Sequence, residues 1–208
     1  VWSCAALFAL RGVQLPSSYA AVWDWIATSM DARDFNNEQL RMLFHAHLMR
    51  QLLLHSPPGG SGVKEDVPPA LNQPAWLMVE ARDAWVRNVR EDNTTSRSHL
   101  QLAEVIGELG VRHEVERVTD DGYFSMDIYL PDHDVAVEFD GPTHFYNNFS
   151  RSMTKTAKTE LRDLFLAKQC PKVLTVPYFE FDKLKTAEAR KAYVRDKLAS
   201  EAGIVAEN

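Results

Sequence analysis

Cysteine is scarce: Cys4 and Cys170 are the two in 208 residues, far apart in sequence. They make no metal-type spacing and no disulfide framework, which points to a reducing compartment. No apolar run approaches the ~20 residues that a bilayer span needs, so no membrane partner is expected. A surplus of positive charge is missing too. The net charge of −6 is not that of a generic nucleic-acid binder. The chain begins at Val1, not Met. It reads as a fragment or a processed form, so the lack of a targeting peptide carries no weight.

What is present is a hydrophobic fraction of 45% and a charged fraction of 25%, enough for a buried core in one large domain or two small ones. The charge is unevenly placed. From Arg97 to Ser150 there are 3 Lys/Arg against 11 Asp/Glu; from Arg151 to Lys172 there are 6 against 2. If the acidic and basic stretches pack together, carboxylates face cations while a basic surface is left for phosphate.

The stretch His55–Pro74 is rich in Pro, Gly and Ser and has no hydrophobic period, so it reads as a linker. Before it the spacing predicts two short helices. One, capped by Ser17 or Ser18, carries Tyr19, Val22, Trp23 and Ile26. The other begins after Asn36 and shows Leu40, Leu43, Phe44, His47, Leu48 and Leu52 on one face. A helical hairpin cannot bury such a face alone and needs neighbours, as in an α-solenoid. After the linker, Pro74 opens a helix to about Arg90. Trp23, Trp25, Trp76 and Trp85 fall at helical spacings and are read as core. The domains are residues 1–55, a helical-repeat remnant; 56–74, the linker; 75–94, a connecting helix; and 95–208, an α+β domain.

In that last domain the order is α-β-β-β-α-β-α. A helix capped by Thr95 or Ser96 ends at Gly110. Residues 111–118, 123–130 and 135–141 form an antiparallel meander, with an Asp-Gly turn signal at Asp121–Gly122. A helix over 153–169 leads to a fourth strand over 172–181. That helical connection predicts a strand parallel to the meander. A final helix covers 186–200.

Asp127 interrupts an apolar strand. Glu138 and Asp140 share one side of the next strand by period two. Antiparallel pairing brings the three together, where they repel unless a cation, a proton or a basic group intervenes. Asp127 and Glu138 are hard oxygen ligands of the kind that suit Mg²⁺ or Mn²⁺. His144 follows Asp140 by four residues and completes a candidate catalytic corner, with Glu104 as a possible fourth member. The plainer reading is a polar corner in which the carboxylates bond to backbone amides, His144 or a basic side chain. Lys155, Lys158 and Arg162, at helical spacing, form a face that could grip phosphates, with Lys168 nearby; a solvated helix face is the alternative. Tyr178 or Phe179 could stack on a base. Lys183 and Lys185 are expected to be exposed.

The strings His113–Leu130, Val135–Phe145 ("VAVEFDGPTHF") and Lys172–Leu198 together resemble the RAP domain. The resemblance implies an RNA-binding protein of mitochondria, favoured over plastids. It would act in rRNA or transcript processing or stabilisation, or as a component of a mitochondrial ribosome with ribonucleoprotein partners. Arg33–Leu53 resembles a helix of octotricopeptide or FAST-type repeats. The same acidic residues resemble the PD-(D/E)xK nuclease core, especially its very-short-patch-repair branch, with Asp127 as the first acid and Glu138 as the second. Asp140 stands where that core carries lysine, which normally orients the attacking water. The expected fold is therefore helical hairpins of α-solenoid type followed by a PD-(D/E)xK-like domain. The expected function is RNA binding without a cofactor. The alternatives are a metal-dependent endoribonuclease, using Mg or Mn, and an inert protein-binding module.

Overall fold

In a computed structural model of the protein, residues 18–55, 74–91, 96–146 and 153–205 are described. The linker expected over 56–74 lies outside them except for Pro74, and the side chains of Tyr19, Trp23 and Leu52 are likewise outside. Two compact units are present, Val1–Asn88 and Val89–Asn208.

In the first unit, α1 spans Ser18–Ser29, a 3-10 turn Ala32–Asp34, α2 Asn37–His55 and α3 Ala75–Glu91, whose last turn lies beyond the unit. Asn36 starts α2 through a reciprocal box. Its Oδ1 accepts from the Gln39 amide, and Gln39 Oε1 accepts from the Asn36 amide, both at 2.9 Å, so two helix-end donors are satisfied at once. Leu40, Leu43, Phe44, Ala46, Leu48 and Met49 of α2 are buried, as are Leu77, Ala81 and Ala84 of α3. The Trp85 ring lies 5.4 Å from His45 and 6.1 Å from Phe44. Two of the tryptophans read as core are not: Trp25 is 57% exposed and Trp76 36%. On α1 it is Ile26, one position on and so 100° around the helix, that is buried.

In the second unit, α4 (Arg97–Glu108) precedes strands β1 (Glu114–Val118), β2 (Ser125–Leu130) and β3 (Val135–Asp140). Then come α5 (Ala157–Gln169), β4 (Lys172–Pro177), a helical turn α6 (Tyr178–Phe181), α7 (Ala187–Lys197) and a π turn, Leu198–Ala202. The sheet order is β1-β2-β3-β4. The first two pairings are antiparallel and β3–β4 is parallel, a pairing that needs a crossover such as α5 supplies. This is a mixed α+β fold. Ser96 caps α4 by accepting from the His99 amide, and Gly110 at φ +72° ends it.

Several boundaries differ from the sequence reading, among them the start of β1, which lies at Glu114 and not at 111. Residues 119–124 form a loop, because Asp121 accepts from the Tyr123 amide and the Thr119 hydroxyl from the Phe124 amide. The α5 helix starts at Ala157, with Thr156 as cap. Ahead of it, Lys155 bridges Phe145 as a short antiparallel pair. The fourth strand stops at Pro177, and Tyr178–Phe181 turns helical.

All six residues of β3 are buried, as expected for a strand between two partners. Val135, Val137 and Phe139 join Ile128, Leu130, Leu174 and Val176 in one hydrophobic cluster with Leu102 and Ile106 of α4 and Val194 of α7. Alternation then places Ala136, Glu138 and Asp140 on the opposite side of β3.

Candidate nucleic-acid-binding domain and its acidic corner

The β2–β3 register pairs Ile128 with Val137 and Tyr129 with Ala136. Extended by one step, it sets Asp127 opposite Glu138, with both side chains on the same face. The two carboxylates reach across the ladder to each other's strand. Glu138 Oε1 accepts from the Asp127 amide at 3.1 Å, and Asp127 Oδ2 accepts from the Phe139 amide at 2.8 Å. Glu138 and Asp140 are each 1% exposed, a depth at which an unpaired charge costs several kcal/mol or more.

The cations come from the segment after the meander. Arg162 of α5 sets one guanidinium nitrogen 2.6 Å from Glu138 Oε2 and 3.3 Å from Asp127 Oδ1. The same nitrogen donates to the Ser125 carbonyl at 2.8 Å. Lys155 Nζ lies 2.7 Å from Asp140 Oδ2 and 2.6 Å from Asp163 Oδ2. It also donates to Thr175 Oγ1 at 3.4 Å. His144 Nδ1 is 2.7 Å from Asp140 Oδ1. The three carboxylates are therefore held apart by two cations and a histidine, all from this chain.

Burial pushes the Glu138 carboxyl above its ordinary range, to about 8, against the pull of Arg162. Burial also opposes ionisation of Asp140, but the bonds from His144 and Lys155 outweigh it and hold that carboxyl low. Lys155 and Arg162 lose solvation as well, yet their carboxylate partners hold both proton affinities above ordinary values.

Asp127, Glu138, Asp140 and His144 do converge. Glu104 does not join them; it is exposed on α4. The residue of α4 that does reach this strand is His99, 4% exposed, whose Nε2 is 2.7 Å from the Asp127 carbonyl. Its Nδ1 is 3.4 Å from Glu116 Oε1, and Glu116 sits at φ +55° within β1. The expected basic face is not one face. Lys155 precedes α5, and Lys155 and Arg162 turn to the carboxylates, whereas Lys158 and Lys168 are exposed. Asp163, Thr175 and His99 were not singled out in the sequence. Asp163 and Thr175 are eight and twenty residues from Lys155, and no short spacing marks them.

A divalent ion between Asp127 and Glu138 does not fit this arrangement, because the Arg162 nitrogen already occupies contact distance of both. Among the described residues no group of three or more His, Cys, Asp or Glu side chains is placed to hold a metal. No described helix is long and apolar enough to cross a membrane.

Residues 137–197 match the family model of the RAP domain. The match begins inside β3 and ends with α7, so it takes in Glu138, Asp140, His144, Lys155 and Arg162. It supports RNA binding as the general activity of this part of the chain. No curated protein matches the chain.

Proposed function

We propose, on the match of residues 137–197 to the RAP domain, that the protein binds RNA in an organelle, the mitochondrion before the plastid. Its role there is rRNA or transcript processing or stabilisation, or membership of a mitochondrial ribosome with other ribonucleoprotein components. The observation that carries the reading is the family match. The corner geometry fits binding better than cleavage, since Arg162 and Lys155 neutralise the carboxylates that a metal would need. The α-β-β-β-α-β-α order supports a PD-(D/E)xK-like core under the domain. The packed helices of the first unit support an α-solenoid remnant. Filter binding of the full chain to a structured rRNA fragment, repeated across salt, tests the proposal. Retention that falls as salt rises is expected; no retention even at low salt overturns it.

One observation favours a second reading, a metal-dependent endoribonuclease. Lys155 brings an ammonium to Asp140, the position where the nuclease pattern has lysine. Incubation of RNA with Mg²⁺ or Mn²⁺, with EDTA as control, separates the two. Cleavage that is abolished by EDTA and by Asp127→Ala with Glu138→Ala establishes the nuclease.

A further inference from the structure

The parallel strands end side by side, β3 at Asp140 and β4 at Pro177. Beyond them β3 leads through Gly141 into the turn Pro142–His144, and β4 leads into α6. Three aromatic rings, contributed by both segments, meet at that end. Phe145 lies 6.0 Å from Tyr178 and 5.4 Å from Phe179, and Tyr178 lies 5.5 Å from Phe179. All three are half-buried, whereas Phe181 on the same turn is fully buried in the core. Each of the three residues thus keeps some exposed surface, although Tyr178 also packs against the core cluster.

A cation lies beside the rings. Lys183 is exposed, and its Nζ is 5.9 Å from the Phe179 ring. The two acids of the same turn have other partners: Glu180 accepts from the Tyr193 hydroxyl at 2.6 Å, and Asp182 from the Ser98 hydroxyl at 3.3 Å. Aromatic faces with a cation at their edge suit a base and the phosphate next to it.

We infer that Phe145, Tyr178 and Phe179, with Lys183, form a stacking platform for an unpaired RNA nucleotide. The inference rests on the RNA-binding reading and narrows its substrate to single strands and unpaired loops. A duplex keeps its bases stacked on one another and presents no free face.

The full chain is titrated into a single-stranded RNA carrying a fluorescent adenine analogue, and into a blunt duplex of the same sequence. Wild type is expected to prefer the single strand and to quench the analogue. Phe145→Leu and Phe179→Leu each weaken that binding about tenfold, the scale of one lost base–ring stack, while Phe179→Trp retains it. Lys183→Glu, a surface change that leaves the core intact, weakens it as well. Single-strand binding that is unchanged in Lys183→Glu and in the Leu variants overturns the platform and leaves the RNA reading standing. So does a wild-type preference for the duplex, or single-strand binding with no quenching. Wild type that binds neither RNA removes both.

Discussion

Asp127, Glu138 and Asp140 bring three acidic side chains to neighbouring positions, two of them at 1% exposure. Coulomb repulsion and lost hydration both act against that arrangement. Arg162 and Lys155 reverse the balance from opposite ends of the corner. Arg162→Met therefore leaves Glu138 buried beside Asp127 without its cation. A loss of roughly 3 kcal/mol is expected in urea unfolding above about pH 8, where Glu138 is ionised, and Glu138→Gln added to it recovers part, because the charge itself is then gone. The pH dependence has a definite sign. Glu138 is raised from 4.5 to about 8 in the fold, so the native state binds its proton more tightly than the unfolded chain. Its contribution is fully present below about pH 4.5 and is lost as pH rises to about 8. Across that window the stability of wild type is expected to fall relative to Glu138→Gln. A flat difference contradicts the assignment. Asp140 acts the other way and in another window. Its lowered carboxyl stabilises the fold above its ordinary 3.8, and that contribution is lost in acid as pH falls through the folded value. The carboxylates were legible in sequence because period-two alternation is short-range. Their cations were not, because long flexible side chains reach across elements at no fixed spacing.

At the scale of elements, caps and turns decide where each piece begins. Thr156 accepts from the Thr159 amide at the start of α5, the helix that delivers Arg162. Thr156→Ala is expected to cost about 1 kcal/mol in thermal unfolding. Gly110→Ala separates strain from space. Nothing lies within 4 Å of the added Cβ, yet φ is +72°, so the expected loss of about 1 kcal/mol comes from the backbone alone. The antiparallel meander and a fourth strand parallel to one of its members followed from hydrophobic runs and one helical connection, but not that β3 is the partner. The ends of elements followed less well. "KVLTVPYFEF" continues as a strand by composition, but the chain turns helical after Pro177. Phe181 enters the core from that turn. Burial of one large ring overrides a local strand preference. Lys155 was lost from the helix for a similar reason, since pairing with Phe145 holds it extended.

For the molecule as a whole, the acidic stretch and the basic stretch after it do meet, as their adjacency suggested. The meeting uses up Arg162 and Lys155, so four of the six Lys/Arg of the basic stretch are left over in a chain of net charge −6. The salt dependence of RNA binding should be correspondingly shallow. Three or four neutralised phosphates give a slope of about −2 to −3 in log affinity against log salt for a single strand. The central claim is that this domain binds RNA through its own side chains, with the acidic corner closed to metal. Fluorescence anisotropy of the full chain with single-stranded RNA in EDTA, titrated with salt, tests it most directly. The account predicts binding without added metal, with that shallow slope. Binding that appears only on addition of Mg²⁺ or Mn²⁺, or none at low salt, contradicts it.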